Sequence, residues 1–370
     1  MIFVVRHDRR FLIGGEGRAG VFYLEERIDF RGALTTDEIE EIVRRGSVDT
    51  LQTNVLPLDL PTMQRLNEEY FSKFPNTELR IYTYGDCDLR SLHVMDNVRN
   101  LSVETSKEIL GIEEIYSLSG IRHLCIEASK IQDKEFLFKI PESVETLYLE
   151  VSSKSFDLKP LSRFAELKVL GLRKCNKNIE CISELKQVHS LKLHGITLPF
   201  CSFLNQLPRL QNLAISGGNT EDFSELYGNP TITGLYLFHL PKLNNLGVLA
   251  NLPNLKVAEV CQLKNVQELP DLSKSKLQHL CLENMKSLLD FSPLQFAPCL
   301  KSVAETVCPS SVTTDCILPI MQNPEVEQCA FFTSSAKKNK ELEELSNQYH
   351  KKWQANAHIV REIIFSDGRM

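Results

Sequence analysis

No segment of this sequence is both long enough and apolar enough to cross a membrane. A spanning helix needs about 20 consecutive apolar residues, and no stretch of the 370 residues approaches that length. At the N-terminus, the apolar residues 1–5 run directly into the charged residues 7–10, which leaves no apolar core for a secretory signal peptide. We therefore expect a soluble, cytoplasmic protein without a membrane partner.

The cysteines form no recognisable pairs. They number eleven, lie between Cys87 and Cys329, and include no C-x-x-C motif. A secreted protein with an odd number of cysteines would leave one reactive thiol, whereas cytosolic proteins keep their thiols reduced. We therefore expect free thiols, which also favours the cytoplasm.

Basic residues are not in excess. The chain has 42 lysines and arginines against 48 acidic residues, which gives a formal net charge of −6. Nucleic-acid binding is usually accompanied by a basic stripe. We therefore expect no nucleic-acid partner.

The motifs of common catalytic sites are also missing. The chain contains no G-x-S-x-G elbow, no H-E-x-x-H helix and no Walker phosphate loop. Two His-x-Cys pairs occur, at His123 and Cys125 and at His279 and Cys281, and alternation places each pair on one exposed face of its strand. They lie seven repeats apart, roughly 33 Å at one strand spacing per repeat, so they cannot share a zinc ion. We expect no catalytic residue, cofactor, metal or enzymatic activity.

What the sequence does contain is a repeat. The phrase apolar-x-x-Leu-x-apolar returns every 21 to 23 residues through the middle of the chain, a register that chance does not maintain. The composition is that of a folded protein, with 42% apolar and 24% charged residues. A repeat array can extend to 370 residues because each unit packs only on its neighbours. The central positions are Leu101, Leu124, Leu147, Leu170, Leu191, Leu213, Leu235, Ala258 and Leu280.

Each repeat predicts a short strand and a brief return segment. In Leu-x-Leu, both leucines point into the core and the residue between them points outward. The returns contain prolines, as in residues 156–161 and 289–294, and their brevity suits 3₁₀ turns better than full helices. Successive strands should therefore lie parallel in one sheet.

The repeat resembles that of the leucine-rich-repeat superfamily, and in particular its internalin-like bacterial branch, over residues 48–331. The 22–23-residue step and the D-x-x-P-L return carry this resemblance. It implies an α/β solenoid, a right-handed curved horseshoe with a parallel concave sheet and helical end caps. The family usually places Asn or Cys five residues after the central Leu. Only Cys175 complies here, so we expect apolar packing at the other equivalent positions: Ile196, Gly218, Leu240, Leu263 and Met285.

The two ends of the chain depart from the repeat. Thr35-x-x-Glu38 is a capping box that predicts a helix through Arg45, with Gly46 as its stop. A second helix is expected from Pro61. Near the C-terminus, apolar spacing predicts a helix through Trp353, and residues 359–365 alternate like a last strand. We predict an N-terminal cap (hairpin plus helix) at residues 1–46, repeats at 47–335, and a C-terminal cap (helix plus strand) at 336–370.

A glycine-rich segment leaves one alternative open. Residues 15–20 match G-x-G-x-x-G, but a dinucleotide site needs a helix directly after it, and the following residues 21–24 look like a strand. A glycine-rich hairpin fits better. An enzyme or nucleotide-binding protein that uses this segment stays the alternative function, and a structural spacer without a ligand is a third.

The outward positions of the strands predict a binding surface. Their charges are segregated: glutamates stack on three successive strands, basic residues follow, and an aromatic pair comes later. Like charges opposite each other destabilise a sheet, and aromatic residues contribute strongly at interfaces. We predict a non-catalytic, monomeric recognition scaffold that binds another protein on its concave face. The predicted partner-binding residues are Glu104, Glu127, Tyr148, Glu150, Arg173, Lys192, His194, Tyr236, Phe238, Glu259 and Glu283.

One residue breaks the inward pattern. Glu305 stands two positions after Val303, where the nine earlier repeats all have an aliphatic residue. An unpaired buried carboxylate is costly. We therefore expect the strand to bulge over residues 304–307 and to turn Glu305 outward or toward a basic partner.

Overall fold

The computed structural model describes residues 20–153 and 155–365. They fall into two compact units that meet in sequence between Gln187 and Val188. Residues 15–19 of the glycine-rich segment lie outside the described residues. The described chain begins with a strand at Gly20, which is followed by a second, antiparallel strand, and the first helix begins at Thr36.

The N-terminal unit, up to Gln187, is built on parallel strands. Strands β1 and β2 form an antiparallel hairpin, and from β2 onward each strand of the sheet pairs in parallel with the next. The sheet order is β1-β2-β3-β4-β6-β8-β9-β10, and β5 pairs with β7 apart from it. The strands are β1 Gly20–Tyr23, β2 Arg27–Arg31, β3 Thr50–Thr53, β4 Glu78–Thr83, β5 Cys87–Asp88, β6 Asn100–Thr105, β7 Ile109–Leu110, β8 His123–Ala128, β9 Thr146–Val151 and β10 Val169–Arg173. The helices are α1 Thr36–Arg45, α2 Leu60–Arg65 and α3 Phe136–Lys139.

The C-terminal unit, from Val188, repeats the same arrangement. Its strands pair in parallel and follow chain order from β11 to β18. The strands are β11 Ser190–His194, β12 Asn212–Ser216, β13 Gly234–Phe238, β14 Val257–Cys261, β15 His279–Glu283, β16 Ser302–Thr306, β17 Gln328–Phe332 and β18 Lys352–Trp353. The helices are α4 Val248–Asn251, α5 Thr314–Gln322, α6 Ala336–Gln348 and α7 Ala357–Ile364.

The predicted strand centres are confirmed. Each of the nine central residues lies in a strand, and none is more than 1% exposed. The centres of neighbouring strands pair directly in the ladder, as Leu147 does with Leu170 and Leu213 with Leu235. The return segments are short, and those with prolines are 3₁₀ turns at Lys159–Arg163 and Ser292–Phe296, as the sequence predicts.

A left-handed residue follows the strand in seven repeats, four positions after the central residue. Its φ lies between +50° and +68°. In the second to sixth of these repeats its N–H donates to the last carbonyl of the next strand, at 2.7–3.0 Å, which extends the ladder by one bond. The chain then turns inward, and the next residue is buried, as predicted, in every repeat with an apolar residue or Cys175 there; Gly218 is half-buried. The left-handed residues are Lys174, Gly195, Gly217, His239, Gln262, Asn284 and Val307.

At the two ends of the chain, the structure confirms two predicted helices and shows that one predicted strand is wrong. Helix α1 has both bonds of the Thr35–Glu38 capping box and ends at Gly46, and α6 begins at Ala336. Trp353 lies in β18 rather than in a helix. The strand predicted over residues 359–365 is wrong, because this segment forms helix α7. A short apolar run fits either period, and here the helical period places Val360 and Ile364 on one side, against the sheet.

The predicted bulge at Glu305 is also wrong. Strand β16 keeps regular pairing on both sides, with Glu305 between Leu282 and Phe331, and the side chain is fully buried. Glu305 Oε1 accepts a hydrogen bond from the N–H of Met285 at 3.2 Å, while Oε2 has no partner. Burial raises the pKa of Glu305 to about 7. Protonation therefore avoids the cost of a buried charge, and the register stays intact.

Replacing Glu305 with glutamine is expected to raise the free energy of unfolding at pH 8 by roughly 1–2 kcal/mol. The folded-state pKa is raised above the ordinary value of 4.5, so this group's contribution to stability is full below about pH 4.5 and is lost as the pH rises through about 7. Glutamine keeps the acceptor for Met285 but carries no charge at any pH. Urea unfolding from pH 5 to pH 8 measures the effect, with the exposed Glu327→Gln as a control. A wild-type–variant difference that does not change with pH would contradict this account.

Candidate protein-binding surface

Three glutamates form an acidic column on the outward face of the N-terminal unit. Glu104 lies on β6, Glu127 on β8 and Glu150 on β9. They are direct neighbours in the parallel ladder, Glu104 beside Glu127 and Glu127 beside Glu150. The register thus brings together the three carboxyl groups that the sequence predicts to stack.

The outer two glutamates of the acidic column are neutralised within the unit. Arg80 makes a two-pronged ion pair with Glu104, with Nε to Oε1 at 2.7 Å and Nη2 to Oε2 at 2.6 Å. Glu150 accepts from Arg173 Nη1 at 2.5 Å and from Lys174 Nζ at 2.9 Å. The two-pronged contact of Arg80 fixes the geometry of the Glu104 carboxylate, whereas Arg173 and Lys174 hold Glu150 by one bond each. The ends of the column are therefore held in place.

The middle glutamate has a different environment. Among the described residues, no lysine or arginine forms an ion pair with Glu127. Cys125 Sγ donates a long hydrogen bond to Glu127 Oε1 at 4.0 Å. Burial, with the charges of Glu104 and Glu150 added, raises the pKa of Glu127 to about 7. The acidic column thus has a centre that a cation would stabilise.

Tyr148 lies beside the acidic column, and its side chain is packed against neighbouring residues. Its ring is only 7% exposed and packs with Cys125 and Val169. A Cβ atom at Gly171 would come within 2.2 Å of the ring, so only glycine on β10 leaves room for it. The predicted binding residue Tyr148 is therefore almost entirely buried by its neighbours.

In the C-terminal unit, the predicted binding residues other than His194 lie against the chain's own helix α7 or against Phe365, which directly follows it. This helix lies across β12, β13, β14 and β15, and we call the outward side of these strands the helix-covered face. Phe365, directly after α7, meets the Tyr236 ring edge-to-face at 5.2 Å between centroids and has Lys192 Nζ at 5.3 Å. The apolar cluster consists of Ala214, Tyr236, Val257, Cys261, Cys281, Val360, Ile364 and Phe365, with Phe238 packed against it.

An ion pair fixes α7 on this face. Arg361 donates from Nε at 2.9 Å and from Nη2 at 2.6 Å to Oε1 of Glu259, which is fully buried. Glu283 lies 3.6 Å from the same guanidinium. Burial raises the pKa of Glu259 and Arg361 opposes that shift. The two predicted binding glutamates of this unit thus contact a cation supplied by α7.

The remaining predicted residue of this unit, His194, bonds to Ser216 Oγ at 2.7 Å through Nδ1. The role of the eleven residues in partner binding stays a prediction. The sequence reasoning missed Arg361 and Ile364, which make the central contacts of α7. A signal was present in the small outward residues Ala214, Gly234 and Cys281, which leave space above the sheet.

Within the described residues, the one cluster of metal-capable groups is largely buried, and so are most of the thiols. All eleven cysteines are free, as expected. Cys125 and Cys281 of the His-x-Cys pairs are each 1% exposed, so the prediction that both residues of each pair lie exposed is wrong. Glu259, Cys261 and Glu283 place potential ligand atoms within 4.8 Å of one another. Arg361 is the cation that lies against these groups.

Among the helices of residues 20–153 and 155–365, none has the length and apolar character of a membrane span. No protein-family profile matches the chain, and no curated protein matches it.

Solved structures with a similar fold are leucine-rich-repeat proteins. An internalin from Listeria monocytogenes is 15% identical, with 83% of this chain and 87% of that chain covered and a TM-score of 0.52. A leucine-rich-repeat protein of Leptospira interrogans is 16% identical, with 89% of each chain covered and a TM-score of 0.45. At such identity the likeness concerns the fold alone. Together with the parallel strand repeats in both units, the likeness to the internalin shows that the chain has a leucine-rich-repeat fold of the internalin kind.

Proposed function

We propose that the chain is a non-catalytic recognition scaffold that binds a protein partner through the acidic column of its N-terminal unit. One observation carries this proposal: Glu127 lies between two glutamates that each bond directly to a cation, whereas no lysine or arginine of the described residues forms an ion pair with Glu127. Arg173 and Arg80 act on Glu127 only by electrostatic attraction without a direct bond. This is the face that the sequence predicts to be concave.

The partner that fits this site carries a lysine or arginine that reaches Glu127. Glu104 and Glu150 are already paired, so a single inserted cation would complete the column. Arginine suits the position best, because its planar guanidinium can bond a carboxylate with two parallel hydrogen bonds. A phosphate group would bring a further negative charge to Glu127 instead of a cation, which favours a protein partner over a nucleic acid.

Replacing Glu127 with lysine is expected to slow association with the partner about tenfold or more, because charge complementarity across an interface acts mainly on association rate and specificity. The partner would first be isolated by pull-down from the native organism, and surface plasmon resonance at low and high salt would then measure the rates. Glu113→Lys is the matched control, since it makes the same charge change at an exposed position on a return segment. Unchanged kinetics for a folded Glu127→Lys variant would rule out the acidic column as the contact.

Binding is also expected to weaken as the pH falls below about 7. The free protein takes up a proton at Glu127 there, and a partner cation requires the ionised form. Affinity should therefore fall up to tenfold per pH unit between pH 7 and pH 5, and the Glu127→Gln variant should bind weakly with a flatter profile. The dissociation constant measured in this range tests the expectation. An identical pH dependence in wild type and Glu127→Gln would contradict it.

A further inference from the structure

The helix-covered face is shaped for a helix by small side chains. At Gly234, an added Cβ would lie 3.2 Å from Cγ1 of Ile364 and 2.5 Å from Oδ1 of Asn212. The small side chains of Ala214 on one side and Cys281 on the other also leave space above the sheet, and both are buried beneath the helix. The strands therefore form a shallow groove into which Ile364 fits.

The contacts in this groove are of the kind found where two proteins meet. Arg361 ties to Glu259, Phe365 packs on Tyr236, and aliphatic side chains fill the space between them. Arginine and aromatic residues dominate binding energy at interfaces when they are surrounded by a dry apolar rim. All of these groups come from one turn and a half of α7 and from the outward side of four strands.

The attachment of α7 is weaker than that of the strands beneath it. The strands are joined by continuous backbone ladders, whereas side chains alone tie α7 to the sheet. Asn212 Nδ2 donates to the Ile363 carbonyl at 3.4 Å, Arg361 bonds to Glu259, and Asn356 Nδ2, directly before the helix, donates to the Leu280 carbonyl at 3.1 Å. A helix of eight residues is not stable alone in water. Burying the Glu259 carboxylate also costs desolvation energy that offsets much of the attraction of Arg361. Such a segment can open while the rest of the unit stays folded.

We propose that the helix-covered face is a binding site for an amphipathic helix of a partner protein, and that α7 occupies it as an internal ligand which the partner helix displaces. The partner helix carries one arginine, with aliphatic residues directly before it and three positions after it, as Val360, Arg361 and Ile364 stand in α7. This site uses the C-terminal unit and is independent of the acidic column.

Hydrogen exchange on the wild-type chain is the first test, since it needs no variant. The amides of α7 should exchange at least about tenfold faster than the amides of β12–β15, because α7 opens by itself. Equal protection of α7 and these strands would overturn the proposal, since α7 would then be an inseparable part of the core.

Peptide binding is the second test. A fluorescent synthetic peptide of residues 354–365 is titrated into the full-length chain carrying Ile364→Asp, which removes the buried contact of α7, and into Ile363→Asp, which changes an exposed neighbour on the same helix. The peptide should bind the Ile364→Asp chain at least about tenfold more tightly than the wild-type or Ile363→Asp chain, because only the former leaves the face open.

The arginine provides the specificity control. A peptide with Arg361→Ala, or an Ile364→Asp chain that also carries Glu259→Gln, should bind at least about tenfold more weakly than the matched pair. Failure of the peptide to bind a folded Ile364→Asp chain whose α7 amides exchange freely would overturn the proposal. A wild-type chain that sediments as a dimer with α7 exchanged between copies would also overturn it, by assigning the face to self-association.

Discussion

Leu170→Ala is expected to lower the free energy of unfolding by roughly 2–5 kcal/mol. Leu170 is fully buried at the centre of β10, and its ladder neighbour Leu147 is fully buried as well. Truncation removes apolar contacts and leaves a cavity that a strand held by its ladder cannot close. Each repeat packs only on its neighbours, so the damage should be concentrated around β9 and β10.

Urea unfolding followed by circular dichroism measures this loss, and hydrogen exchange locates it. The control is Leu110→Ala, the same truncation in the same unit at a side chain that is half exposed. The control should change the free energy of unfolding by about 0.5 kcal/mol or less. If both variants lost the same stability, the repeat leucines would not form the core that the structure places around them.

Arg361→Ala is expected to release α7 from the helix-covered face. Removing one member of a buried ion pair costs about 3–5 kcal/mol when the other charge stays buried. The cost here is lower, since Arg361 itself is 37% exposed, and it is limited further because α7 can leave and let water reach Glu259. The expected result is loss of hydrogen-exchange protection in α7 with little change in the urea midpoint of the strands.

Two further variants separate charge from packing at this pair. Arg361→Lys keeps the positive charge but loses the two-pronged guanidinium contact with Glu259. The hydrogen-exchange protection of α7 in this variant should therefore lie between that of Arg361→Ala and that of the wild type. Adding Glu259→Gln to Arg361→Ala removes the stranded carboxylate and should restore part of the docking, which a double-mutant cycle measures. Lowering the pH should act in the same direction, because burial already raises the pKa of Glu259. Full protection of α7 in Arg361→Ala would show that the ion pair contributes nothing to docking.

Sequence reasoning succeeded for features set by spacing along the chain, and it failed for features set by contacts between residues far apart in sequence. The repeat centres, the capping box at Thr35 and the stacking of the acidic column depend on spacing along the chain, and they were predictable. The cations that pair with the carboxylates of the acidic column were not predictable. Among the described residues, Glu104 and Glu150 form ion pairs and Glu127 forms none, which depends on which long side chains reach across the strands.

Glu305 and α7 illustrate the two kinds of failure. For Glu305, the prediction assumed a charged carboxyl group, but burial raises its pKa to about 7 and the ladder on both sides holds the strand straight. For α7, eight residues are too few to distinguish the helical period from the strand period. The apolar groove on β12–β15 selects the helix, and nothing local to residues 357–364 encodes that groove.

By itself the sequence determined the repeat, because an apolar residue every second position along a short strand, returning every 21–23 residues, can bury its leucines only by stacking. It also determined the order of charges on the outward face. Only the tertiary structure decided which of those charges is left without a cation and which outward residues the chain covers with its own helix. Those outcomes depend on contacts such as Arg361 with Glu259, 102 positions apart, whose desolvation and geometry exist only once the sheet has formed.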